Sequence, residues 1–177
     1  AYFFIVQTIS SFIFSRVGFD ISLDIHRGDF ANFLLKPINY VAFRMGHEVS
    51  KNEFRMMLSI VIFGIVLFSF FGGIPFTIWK IPLSILAILG AYLVNFCMIA
   101  IIALSAFWIV NSHRLLFIYF GILTIFSGMM LPLDLFPPQW ANILFKLPFP
   151  YIFYFPSKII QSATLPPDVL QGFLIEL

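Results

Sequence analysis

Charge is scarce in this sequence. Ten basic and eight acidic side chains are spread over 177 residues, so charged residues make up 10% of the chain against 61% for hydrophobic ones. A soluble domain of this length has too little interior to hide that much apolar surface. With a mean hydropathy of +1.02, the composition is that of an integral membrane protein. A net charge of +2 gives no footing for nucleic acid. There is one cysteine, Cys97, inside an apolar run. That excludes an intrachain disulfide framework and leaves the thiol as a small buried hydrophobe.

Chemical motifs are equally thin. No G-x-x-x-x-G-K-[ST] loop occurs, so the chain does not itself bind ATP by that device. The stretch His47-Glu48-Val49-Ser50-Lys51 starts like a zinc-protease motif but ends on lysine where the second ligand belongs. His26, His47 and His113 have no ligand spacing, so no metal site is expected. No internal repeat or low-complexity linker is present. The opening run AYFFIVQTISSFIF has no basic region before it and is not a signal peptide. At fourteen residues it reaches about 21 Å, short of a span of about 30 Å. The terminal VLQGFLIEL resembles the first turns of another span. Both ends therefore read as cut, and the chain as an internal piece of a longer protein.

What the sequence does contain is apolar runs. An all-α, polytopic transmembrane protein is expected, organised as one transmembrane domain. It comprises a partial span at 1–14, a charged connection at 15–55, spans at 56–79, 82–110 and 115–131, a further connection at 132–168, and the start of another span at 169–177. The three full spans carry no Asp, Glu, Lys or Arg, which argues against a proton- or ion-coupled transporter working by midplane charges. Their polar groups are mild. Asn95, Ser105, Thr124 and Ser127, together with Ser59 and Ser69, read first as helix–helix hydrogen-bonding groups. The first four are also the candidates for lining a pathway. Ala87 and Ala91, flanking Gly90, would permit close helix approach.

Sidedness follows from the basic residues. Arg16, Arg27, Lys36, Arg44, Lys51, Arg55 and Arg114 fall on one side, and Lys80, Lys146 and Lys158 on the other. The excess places 15–55 and 111–114 in the cytoplasm. The opposite connection, 132–168, holds eight of the eleven prolines. Within it Trp140, Ile143, Leu144 and Leu147 recur at helical spacing, with Gln139, Asn142 and Lys146 largely off that stripe. Pro138 suits a first turn and Pro148 a stop. A short interfacial or re-entrant helical hairpin on the outer face is expected, its stripe buried against lipid or the spans.

The remaining oddity is DIHRGDFANFLLKP at 24–37, which packs Asp24, Arg27, Asp29 and Lys36 with His26 into fourteen positions. Gly28 permits a sharp turn, Asp29 puts a negative charge at a helix start, and Pro37 disfavours helix at Lys36. A short surface helix at 29–36 follows, with Phe30, Phe33 and Leu34 on one side. Physics alone leaves an interfacial lipid anchor and a protein-docking helix both open.

Resemblance separates them. The stretch HRGDFANFLLKPINYVAFRMGHEV resembles the cytoplasmic motif of type 2 ABC export permeases, through Arg27-Gly28, Leu34-Leu35 and Pro37. It is most similar to the branch reading I-x-x-G-E-L-D-x-x-L-L-R-P, matched by Ile25, Gly28, Asp29, Leu34, Leu35, Lys36 and Pro37. Asp29 for Glu and Lys36 for Arg keep the charge, while Phe30 departs from that pattern. LPLDLFPPQWANILFKLPFPYIFYFPSKI resembles the same branch's outer segment before its last span. The resemblance implies a six-span permease of a bacterial cell membrane, present here from late in the second span to the start of the sixth. It implies that Arg27, Gly28, Asp29, Phe30, Phe33, Leu34, Leu35, Lys36 and Pro37 couple to a separate ATPase subunit. ATP and magnesium would bind to that partner, with no cofactor in this chain, and a second permease copy or homologue would complete the pathway. The rival readings are a non-transporting anchor subunit and a membrane-embedded enzyme. The enzyme would have to draw on Asp24, His26, Asp29, His47 and Glu48.

Overall fold

The computed structural model describes residues 2–71, 81–109 and 111–161, and among these all regular structure is helical. The longer helices are α1 (Tyr2–Ile13), α2 (Val17–Arg27), α4 (Tyr40–Phe71), α5 (Ile81–Leu104) and α6 (Ser112–Phe126). The shorter ones are α3 (Asp29–Leu34), α7 (Pro138–Leu144), α8 (Phe149–Ile152) and α9 (Tyr154–Gln161). Among the described residues, two apolar segments are long enough to cross a membrane. They are the α1–α2 rod Tyr2–Arg27, and Pro82–Phe107, whose mean hydropathy is 2.5. The shorter apolar helix Ser112–Phe126 stands beside them.

α5 is the hub, packed by α1, α2, α6, α8 and α9, while α4 lies along α1 and α2. The rod buries Ile5, Ile9, Ile13, Val17 and Ile21, a four-residue repeat that keeps one face inward along its whole length. α6 answers with Ser112, Leu116, Tyr119 and Leu123. In α5 the inner face gathers the helix's small and polar residues around a few large ones. Ser84, Ala87, Ala91, Asn95 and Ala103 are buried with Tyr92, Phe96 and Ile99, while Leu86, Leu89, Leu93 and Ile101 are exposed. Lipid is as apolar as leucine, so close packing and hydrogen bonds choose the contact face. Cys97, expected buried, is exposed on α5. Close approach is most evident at Gly18, where an added Cβ would lie 2.6 Å from Ile99 Cγ2 and 2.8 Å from Leu116 Cδ2.

Several boundaries differ from the sequence reading. The 15–55 connection is mostly helix, because α2 packs into the bundle and α4 runs unbroken across the expected border at 55/56. The span expected at 115–131 starts at Ser112 and stops at Phe126. It stops because Gly128 turns the chain at φ +84°, where Tyr2 Oη donates to its carbonyl at 2.6 Å. The ends of the expected spans 56–79 and 82–110, the end of 132–168 and all of 169–177 lie outside the described residues.

Candidate functional site

The α2–α3–α4 corner is built by one backbone inversion. Gly28 ends α2 in the left-handed region, at φ +80°, with its N–H on Ile25 O at 3.2 Å. An L side chain there is strained whatever the space around it. The same residue opens α3, since Ala31 N–H donates to Gly28 O at 3.1 Å. Asp29 occupies the first turn of α3, where the helix dipole favours an acid. The helix is shorter than expected, ending at Leu34, and Leu35 continues in helical conformation as its C-cap. Asn39 then caps α4, its Oδ1 accepting from Val41 N–H at 3.0 Å and Ala42 N–H at 3.1 Å.

α3 is pinned by its aromatic side. The Phe30 ring lies 4.8 Å from Tyr40 and 5.4 Å from Phe107. Phe33 lies 5.2 Å from Tyr40 and 5.3 Å from Phe43. Leu34 does not share that side as expected. It is 68% exposed and Leu35 is 86% exposed, because in six residues Phe30 and Phe33 already fill the contact with α4. Arg27, Asp29, Lys36 and Pro37 are exposed too, and Lys36 Nζ hangs 5.3 Å above the Phe33 ring. The corner thus offers an uncovered leucine pair on a helix that is firmly held from behind.

What holds it is a pairing the sequence did not reveal. Arg44 pairs with Asp24 across α4 and α2, and Tyr40 Oη donates to the same carboxylate at 2.6 Å. The guanidinium also lies 5.8 Å from the Phe33 ring and 5.6 Å from the Tyr40 ring. Burial pushes the Tyr40 hydroxyl up to about 12; its bond to Asp24 adds to this and Arg44 opposes it. Burial works against the Arg44 charge, but bonds to Asp24 and Tyr40 outweigh it and raise its pKa. Lys51 and Asp20 form a second, more exposed pair at 3.1 Å. Asp20 and Asp24 sit one turn apart, and their basic partners seven residues apart, so each pair of charges shares one helix face. That spacing was the available signal, but choosing the partners needs the tertiary fold.

The polar candidates within the bundle are not brought together. Asn95 is buried and spans three helices, donating to Ile13 O at 2.9 Å and accepting from Tyr119 Oη at 2.7 Å. Ser105 and Thr124 bond back to Ile102 O and Phe120 O of their own segments. Ser127 is fully buried, and its hydroxyl has no hydrogen-bond partner among the described residues. Among the described residues no cluster of three potential metal ligands occurs.

At the opposite end the expected four-residue stripe divides. Leu144 is buried, Trp140 and Ile143 are exposed, and Leu147 lies beyond the helix, which stops at Leu144 rather than at Pro148. Tyr151 Oη takes the Phe145 carbonyl at 2.9 Å, which favours the turn over another helical residue. Leu144 joins Leu133, Tyr151, Tyr154 and Phe155 in a small core. Asp134 ties that core down, bonded to Tyr154 Oη at 2.6 Å and Lys158 Nζ at 2.7 Å. Burial would raise the Asp134 pKa, but the Lys158 and Tyr154 hydrogen bonds hold it below 3.8.

These features define an all-α membrane protein with charge gathered at its ends and one helix presented outward from a braced corner. The sequence matches the family model described as ABC-2 family transporter protein over residues 1–175, and the chain belongs to that family. Comparison with curated proteins and with solved structures returns no match. Membership gives the chain a permease role in membrane transport, in association with an ABC ATPase and a membrane.

Proposed function

We propose that this chain is the permease subunit of an ATP-driven exporter, and that α3 is the element through which the ATPase drives it. One observation carries the reading: Leu34 and Leu35 are exposed on a helix whose other side is fixed by Phe30, Phe33, Tyr40, Asp24 and Arg44. A docking helix needs both properties. It must present an apolar surface to its partner and be stiffly joined to what it moves. The excess of basic residues around it supports a cytoplasmic position for this end and an outer one for α7–α9, in a bacterial cell membrane. ATP and magnesium bind on the ATPase, and a second permease copy completes the pathway. Nucleotide binding shifts α3, and α2 and α4 carry the shift into the bundle as a rigid-body motion.

The test is retention of the ATPase by variants of the exposed side. Leu35→Asp and Asp29→Lys should insert normally, since every apolar span is unaltered, yet lose the ATPase on purification and substrate-stimulated hydrolysis with it. A lipid anchor predicts the opposite pattern: Asp29→Lys tolerated near anionic lipid, and ATPase retention unchanged by either substitution.

A further inference from the structure

The α1–α2 rod is broken at Phe14–Arg16 without a proline or a glycine. In a continuous helix Val17 N–H would donate to Ile13 O. Here it donates instead to Ser15 Oγ at 3.1 Å. The freed Ile13 carbonyl accepts from Asn95 Nδ2 at 2.9 Å, and Tyr119 Oη donates to Asn95 Oδ1 at 2.7 Å. Ile13, Ser15, Asn95 and Tyr119 are all buried. Both halves of the missing Ile13–Val17 bond therefore have a side-chain substitute, which lowers the cost of a buried break.

No residue in 14–16 forbids helix, so the break is held by two side chains, Ser15 within it and Asn95 across the bundle. The alternative is plain: Val17 N–H returns to Ile13 O, Asn95 lets go, and the rod becomes continuous. The break also divides the rod chemically. α1 has no charged residue, whereas α2 carries Asp20, Asp24 and Arg27. Just past it, Gly18 rests against Ile99 and Leu116, which supplies a pivot. Eleven residues of α2 reach about 16 Å, so a swing of about 10° at the joint moves α3 by about 3 Å.

We propose that Phe14–Arg16 is a two-position joint closed by Asn95, through which α2 swings the docking helix α3, making Asn95 a positioning residue for transport. The proposal rests on the coupling role given to α3. Its test uses the intact permease–ATPase complex in lipid, with Cys97 replaced and spin-label pairs at exposed sites. Leu23–Ile118 reports α2, Phe3–Ile125 reports α1, and a label at Leu35 reports α3. Between nucleotide-free and ATP-analogue-bound states, the Leu23–Ile118 distance should change by about 2 Å, Leu23 lying closer to the joint than α3 does, while Phe3–Ile125 holds still. Asn95→Leu removes the clasp, and Ser15→Ala removes the partner that draws Val17 N–H away from Ile13. Both should hold Leu23–Ile118 at one distance and cut substrate moved per ATP by about tenfold, with hydrolysis continuing. If Asn95→Leu fails to accumulate, Ser15→Ala, which deletes a single hydroxyl, carries the test. Leu23 and Phe3 labels moving together, or normal coupling in both variants, would overturn the joint. A Leu35 label indifferent to nucleotide would instead overturn the coupling role of α3, and the joint's function with it.

Discussion

Gly18→Ala is the smallest change that tests how α2 sits in the bundle. The new methyl would stand 2.6 Å from Ile99 Cγ2 and 2.8 Å from Leu116 Cδ2, closer than real Cβ contacts come. Leu116 meets it with the end of a flexible side chain, but Ile99 meets it with a branch fixed at Cβ. Both are 0% exposed, so neither has free space to move into. Either α2 backs away from α5 or Ile99 leaves its rotamer, and overpacking of this kind costs about 2 kcal/mol. Helix propensity favours alanine by up to about 1 kcal/mol and opposes that cost without cancelling it. Gly46→Ala is the control, because nothing lies within 4 Å of its added Cβ and it sits inside α4; it should stabilise by about 0.5–1 kcal/mol. Unfolding in mixed micelles, followed by circular dichroism against denaturing detergent, reads both. A double-mutant cycle locates the cause. Ile99→Ala alone should destabilise by about 2–5 kcal/mol, and combined with Gly18→Ala by about 1 kcal/mol or more below the sum. Strict additivity, or a neutral Gly18→Ala, would refute the close contact.

Arg44→Ala should destabilise by about 3 kcal/mol, because it strands Asp24 where both partners are largely buried. Lys51→Ala, removing the more exposed pair, should stay within about 1 kcal/mol in the same micelle assay. Leu144→Asp should lower membrane accumulation or abolish transport by forcing a charge into the small core beside α7, whereas Gln139→Asp should be mild by immunoblot and transport assay. Asp134 has a depressed pKa in the folded state, so the stability it contributes is fully present above 3.8 and is lost as pH falls through the lower folded value. Melting temperature measured against pH should show that acid-side loss, and Asp134→Asn should lack it.

Parts of this architecture were legible because local rules settle them. Gly28 had to invert the chain between two helical stretches, and it does so at φ +80°. The four-residue repeat from Ile5 to Ile21 is also helical, but it crosses the border expected at 14/15, where the charges of α2 obscure it. The orientation of α5 was not legible from hydrophobicity, since its leucines and isoleucines surround the helix. Its small and polar residues mark the buried face, and in lipid that preference comes from packing and hydrogen bonding. The same ambiguity divides the α7 stripe, where Leu144 meets protein while Trp140 and Ile143 face away from it. A wheel shows an apolar face but not which apolar medium covers it. The break at Phe14–Arg16 has no glycine or proline to announce it, and it exists because Asn95 and Ser15 meet its freed backbone groups. Asp24–Arg44 joins residues twenty positions apart, and choosing that pair over its neighbours requires the α2–α4 packing.

Site-specific photo-crosslinking in native membranes tests the central claim most directly, because it asks what touches α3. A photoreactive amino acid at Leu35 should join the permease to its ATPase, in greater yield than one at Trp140 in the opposite hairpin, which should join to lipid. A Leu35 probe that captures lipid and never the ATPase would contradict the account and leave α3 a membrane anchor.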